Sequence, residues 1–370
     1  MSRILYREAA IADGRSDRLA LEQSVLVEDG RIAWIRPSDA EPDPGRDAPI
    51  EVVDAAGATI VPGMIDGHSH VTLPGGAHWI ARIDDPVETL LAVAEHNGDL
   101  QSRSGVRWAR DVGSPRLTDP ETGVTQALAL GVRSRWAGRR EMPYLRSGGT
   151  WLDRTGTLPP AAHTVVAHDA DELVANAVQQ LDEGADFLKL YLQGPEAGVS
   201  PWSAEEVTRV TAMAHERGAR VTAHANELDG ARAGVHGGAD SIEHGDELDA
   251  DLAVEMARRG TFLVSTIAVY DSWLTFHRTT TIPRFAAPEA PGRLEARRER
   301  ARESVRLARA AGVKIAAGTD LGGGSLRANQ LAWVVEGLVA AGLEPWEALG
   351  AATWRGGELL GEADGGIVRE

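Results

Sequence analysis

From residue 59 onward short apolar runs alternate with longer amphipathic stretches, and this alternation constrains the fold more than any other feature of the chain. The runs are 60–65, 106–112, 132–136, 187–192, 220–225, 240–244, 261–266 and 313–318. Helical patterns lie between many of them, at 170–183, 203–218, 250–260 and 294–311. Several end on a glycine just before the next run: Gly184, Gly218, Gly260 and Gly312. Glycine is the residue that most easily closes a helix in the left-handed conformation. Eight strand–helix pairs over about 250 residues predict an α/β fold of the (β/α)8 TIM barrel type. A doubly wound sheet would want a glycine-rich phosphate loop after its first strand. Gly322-Gly323-Gly324 comes late in the chain and lacks that spacing.

Residues ahead of this region read differently. Short β-prone runs occupy 3–36, and Asp29-Gly30 joins two of them in a hairpin signature. Residues 37–49 are rich in Pro, Asp and Gly and read as a loop, and 51–54 as one more strand. The expected organisation is a small β-sheet domain over 1–58, with a remnant at 361–370, and a barrel over 59–360.

In such barrels chemistry sits at the C-terminal ends of the strands. The first strand runs through Thr59–Ile60, meets Pro62-Gly63 and ends in His68-Ser69-His70. Residues two apart on an extended strand face the same way, so two imidazoles are offered to one point. A lone HxH is a weak signal, and paired loop histidines are the bland reading. The other strand ends add to it. The fourth carries Lys189 inside DFLKLYL, the fifth ends at His224, the sixth at His244 and the eighth at Asp320. Singly, each has an ordinary explanation: a satisfied core histidine, a helix cap, a snorkelling lysine. Together they converge on one mouth of one barrel as a metal site.

Lys189 is the oddity. A protonated ammonium is costly to bury and cannot bind a metal. Burial and nearby cations lower its pKa toward a neutral amine. A neutral amine can add to CO2 to give a carbamate, whose two oxygens can bridge two divalent ions.

This ordered set resembles the amidohydrolase superfamily of metal-dependent hydrolases. VPGMIDGHSH is similar to its first-strand motif; DFLKLY, VTAHA, SIEHGDELD and AAGTD are similar to its prolidase and imidazolonepropionase-like branch, as is SGVRWARDVGSP to that branch's second strand. The resemblance covers nearly the whole chain. It implies that His68, His70 and Asp320 hold one metal and that His224 and His244 hold another. A Lys189 carbamate and a hydroxide would bridge them, and Asp320 would act as general acid/base. Zinc suits these N and O donors, with manganese or iron as alternatives. The reaction implied is hydrolysis of a C–N amide bond in a dipeptide, N-acyl amino acid or cyclic amide. A single-metal deaminase of the same superfamily is the first alternative, and the retained Lys189 argues against it. A non-catalytic scaffold is the second, and the six retained donors argue against it. After Lys189 the chain reads Tyr191-Leu192-Gln193-Gly194, a departure from the branch's small-residue loop.

For the substrate, Trp79, Trp151, Trp202 and Trp273 follow expected strand ends and suggest an apolar or aromatic group. Arg82, Arg154 and Tyr191 are candidates to hold a substrate carboxylate, with solvated charge as the ordinary reading of the two arginines. His78 and His163 are within reach of the mouth. Resembling proteins return after the barrel to complete the small sheet, whereas here GEADGGIVRE follows the last helical pattern at 345–360. The small domain is therefore expected to lack its C-terminal part, leaving Val25, Val27, Ile32 and Ile35 partly bare. The expected remedy is pairing with a second copy, hence a homo-oligomer.

Composition excludes several classes. A net charge of -17 disfavours nucleic acid and anionic membranes as partners. With no cysteine there is neither a disulfide framework nor a thiolate ligand. The first residues lack an apolar signal region, and the longest apolar stretch, 331–343, contains Glu336. A cytoplasmic enzyme of a small-molecule substrate is the expectation.

Overall fold

The computed structural model describes residues 2–43, 49–158, 163–323 and 326–370. The expected loop at 37–49 falls partly outside them, at 44–48, as does Gly324.

The N-terminal strands are β1 (Arg3–Ile11), β2 (Ala20–Glu28), β3 (Arg31–Pro37), β4 (Glu51–Asp54) and β5 (Thr59–Ile60). They form one sheet in the order β3-β2-β1-β4, with β5 also paired to β1. The β2–β3 hairpin turns on Asp29 (φ 50°) and Gly30 (φ 81°), two left-handed residues between the paired Glu28 and Arg31. That is the backbone a two-residue hairpin needs, and it explains the Asp-Gly. Ser38–Ala40 form a short 3-10 turn where a plain loop is expected. Val27, Ile32 and Ile35 are half-buried, but Val25 is only 2% exposed, and with Ser24 and Leu26 on either side also buried, β2 is covered on both faces there. No strand forms in 361–370; instead the Glu370 side chain accepts a hydrogen bond from the Ile35 backbone.

Two parallel sheets follow. The first holds β6 (Met64–Ser69) and β7 (Val106–Asp111). Past a small hairpin of β8 (Arg116–Thr118) and β9 (Thr125–Ala127) it is completed by β10 (Tyr144–Ser147), in the order β10-β7-β6. The second comprises β11 (Trp151–Arg154), β12 (Thr164–Ala167), β13 (Phe187–Tyr191), β14 (Arg220–Ala225), β15 (Ser241–His244), β16 (Phe262–Ser265) and β17 (Ile315–Ala317). Their order is β12-β11-β13-β14-β15-β16-β17. Both edges of the first sheet are hydrogen-bonded to segments of the second, next to β13 and β17. Asp186 N donates to Ser147 O at 2.9 Å, while Asp320 N donates to His68 O at 2.8 Å and His70 N to Leu321 O at 2.8 Å.

One expected strand is wrong. Residues 132–136 belong to the helix Leu128–Trp136, and β10 takes the third place beside β7. Leu128, Val132 and Trp136 recur every four residues and are all buried, which is a helical face, while Arg133 and Arg135 turn outward to Asp186 and Asp119. The last helical pattern also differs, breaking into Pro345–Ala351 and Trp354–Leu360 around Thr353. The other helices run close to their expected bounds, and Gly184, Gly218, Gly260 and Gly312 all have positive φ. Among the described residues no helix is long and apolar enough to cross a membrane.

Candidate metal centre

The candidate donors meet at the C-terminal ends of the parallel strands. β6 delivers His68 and His70, which straddle Asp320 from the segment after β17: the two Nε2 atoms lie 3.4 and 3.5 Å from its Oδ1. β14 and β15 deliver His224 and His244, with His244 Nε2 3.0 Å from His224 Nδ1. One ligand atom each from His68, His244 and Asp320 falls within 4.8 Å of the others. Lys189 comes from β13, is 1% exposed, and its Nζ has no hydrogen-bond partner among the described residues.

The histidines are aimed from behind. His68 Nδ1 donates to Glu243 at 2.6 Å and His70 Nδ1 donates to the Gly113 carbonyl at 2.7 Å. His244 Nδ1 pairs with the Thr266 hydroxyl at 2.8 Å. In all three the outer nitrogen is occupied and Nε2 is left to face the centre, the arrangement that fixes an imidazole for metal binding. His224 is held differently, stacked flat on Tyr191 with ring centres 4.4 Å apart.

Glu243 is the residue that sequence reasoning missed. It adjoins His244, and alternation along a strand would send the two side chains to opposite faces. His244 takes a left-handed φ of 72° at the end of β15, and Asp320 a φ of 53°. Such positions cost about 1–3 kcal/mol and persist where the surroundings enforce them. Glu243 is fully buried and accepts from Arg110 at 2.8 Å, from Ser241 at 2.9 Å and from Thr222. The signal available was a carboxylate inside a buried strand, next to an expected strand-end histidine.

Charges in this cluster follow from those contacts. Burial opposes ionisation of Glu243, but Arg110 and His68 outweigh it and hold the carboxyl well below its usual range. Burial likewise opposes the charge of Asp320, and His68 and His70 overcome it. Burial, then repulsion by His244 in the one case and by His68 in the other, push His224 and His244 well below the ordinary imidazole value. Burial and the Lys189 charge work against the protonated His68, yet Asp320 and Glu243 leave its pKa raised. Lys189 is lowered to about 8, chiefly by burial.

Above the donors lies a cavity of about 500 Å³. Trp79, Trp151, Trp273, Tyr191 and His163 line it, together with Arg284 and Arg297. Other expected substrate residues are placed elsewhere. Trp202 is fully buried beneath the Arg154 guanidinium, 4.5 Å from it, because it seals the start of the helix Ala204–Glu216. Arg154 is engaged by Glu206 at 3.2 Å and the Pro201 carbonyl at 2.8 Å. Arg82 pairs with Asp85 at 2.9 Å, and His78 is exposed; neither lines the cavity.

Parallel strands with a His, Lys and Asp cluster at their C-terminal ends make a candidate metal centre of a hydrolase, and the comparisons identify the family. The amidohydrolase family pattern matches residues 59–370, and the chain belongs to that family. An uncharacterised protein of Mycobacterium tuberculosis is 30% identical, over 94% of this chain and 83% of its own length. An imidazolonepropionase of Salinispora arenicola is 27% identical, over 93% of this chain and 82% of its own. Among solved structures, a Xaa-Pro dipeptidase with bound methionine superposes with a TM-score of 0.83 at 23% identity, over 100% of this chain and 91% of that one.

Proposed function

We propose that this amidohydrolase cleaves the C–N bond of an amide in a dipeptide, N-acyl amino acid or cyclic amide, with two divalent metal ions, zinc by donor type, held at the mouth of a closed (β/α)8 barrel. The small sheet over 1–58 forms a separate domain in this reading, and the enzyme works on a small molecule in the cytoplasm. Family membership and the imidazolonepropionase relative support carbon–nitrogen hydrolysis. The observation that carries the metal reading is Lys189: a buried amine without a partner, among inward-facing imidazoles and a carboxylate. An unpaired buried Nζ is costly, and modification to a carbamate ligand removes that cost.

His68, His70 and Asp320 would hold one ion, His224 and His244 the other, and the Lys189 carbamate both. Bound there, the ions would polarise the scissile carbonyl and acidify the attacking water. Asp320 does the proton work: its carboxylate takes the proton from that water and hands it to the leaving nitrogen. Glu243 and Gly113 keep His68 and His70 in the required tautomer, and Trp79 and Trp273 give the cavity an apolar wall.

Elemental analysis of metal-replete protein should find about two ions per chain, and mass spectrometry under mild conditions an added CO2 on Lys189. One ion per chain with unmodified Lys189 would instead favour the deaminase-type reading, and none the scaffold. Asp320→Asn should retain the fold and lose about 10²-fold or more in kcat. Turnover of esters or phosphoesters but no member of a broad amide panel would refute the C–N assignment.

A further inference from the structure

Arg284 sits on the short helix Pro283–Ala286, between β16 and β17. Its neighbour Phe285 is 1% exposed and packs against Phe276 and Trp273, with ring centres 5.2 and 6.0 Å away. His277 Nδ1 donates to the Phe285 carbonyl at 2.9 Å, and Arg293 to the Arg284 carbonyl at 2.7 Å. These contacts pin the backbone. The guanidinium itself lies over the Trp273 ring at 4.7 Å and lines the same cavity as His224, His244 and Asp320.

What it lacks is an ion-pair partner: Asp320 favours its charge but makes no salt bridge with it. Among the described residues no carboxylate pairs with Arg284, whereas its neighbours are engaged: Arg297 with Asp246 and Arg298 with Asp271. Burial, then repulsion from Arg297 and Arg293, work against its charge. A solvated surface cation is the ordinary alternative. It does not account for a guanidinium laid on an indole face within a reaction cavity, in a chain where Arg82 and Arg154 already have their own acids.

We propose that Arg284 is the anion anchor of this site and that the substrate is an amide bearing a carboxylate, which places dipeptides and N-acyl amino acids ahead of uncharged cyclic amides. The inference rests on the amide-hydrolase reading above for the rest of the substrate. The planar fork of Arg284 offers two parallel N–H donors to a carboxylate. Stacking on Trp273 fixes that fork beforehand, so little side-chain freedom remains to be lost on binding.

The test pairs a binding measurement with a kinetic one. Calorimetric titration of the metal-replete protein with phenylacetate and with phenylacetamide should show the carboxylate bound about 10-fold or more tightly. In Arg284→Met that preference should vanish, and in Arg284→Lys part of it should survive. For an N-benzoyl amino acid against its carboxamide, Arg284→Met should erase about 10- to 100-fold of the preference in kcat/KM, mostly through KM. A preference that persists in Arg284→Met, or is absent from the unaltered protein, overturns the anchor. Binding of phenylacetate through Arg284 with no amide turnover would remove the hydrolase reading and leave the anchor. Equal turnover of the acid and its carboxamide would do the reverse.

Discussion

At the residue scale, the site is a set of charges that hold one another in place. Glu243 links His68 to Arg110, and both ends are buried. Glu243→Gln keeps the shape but leaves the Arg110 charge without its counter-ion. It should cost about 3 kcal/mol or more of stability, seen in urea unfolding, and weaken metal binding about 10- to 100-fold. A variant with wild-type midpoint and metal content would show that the pair is dispensable. Asp153, on β11, offers a pH test away from the donors. Its carboxyl is fully buried, one oxygen has no partner, and burial raises its pKa to about 6. The folded chain thus holds this proton more tightly than the unfolded chain. The contribution is present in full below about pH 4 and is lost as pH rises through about 6. Relative to Asp153→Asn, the unaltered protein should therefore lose stability between those values, with a constant gap above them. Parallel stability curves from pH 4 to 7 would contradict the assignment.

At the element scale, Gly113, two residues past the end of β7, has a double duty. Gly113 has φ 145°, its carbonyl receives His70 Nδ1, and a methyl group placed on it would meet the Trp151 ring at 2.0 Å. Trp151 is in turn stacked with Tyr191, which is stacked on His224. The packing is too tight for Trp151 to move alone. Gly113→Ala should therefore cost about 2 kcal/mol or more and disturb both histidine pairs, so metal content falls along with activity. Loss of stability with full metal content would mean that the stack does not transmit the strain.

At the scale of the whole molecule, the parallel sheets keep their polar cluster at one end, whereas the N-terminal sheet leaves apolar groups uncovered. Leu19, Leu21 and Val52 are about half exposed, at 52%, 62% and 48%. These side chains lie in or just before β2 and β4, and β3 and β4 are edge strands. Open edges beside apolar surface favour association. Sedimentation velocity should find a dimer or larger species that Leu21→Glu shifts toward monomer without loss of activity. A monomer at all accessible concentrations would rule this association out.

The strand–helix alternation and the gathering of His68, His244 and Asp320 at the strand ends were legible in the sequence because both follow local rules: side-chain periodicity, glycine helix stops, and polar residues interrupting apolar strands. Trp202 and Arg154 show where such rules stop, since a position after a strand does not say whether a side chain faces a cavity or closes a helix start. The helix Leu128–Trp136 shows the same for a short apolar run, which fits either period until its neighbours pack. Glu243 and Arg284 depended on the tertiary structure for a physical reason. A left-handed His244 reverses the strand's alternation, and Arg284 is left without a salt bridge because Asp246 and Asp271 pair with Arg297 and Arg298 while Asp320 faces His68 and His70. Both depend on residues far apart in the chain, so only the assembled fold could decide them.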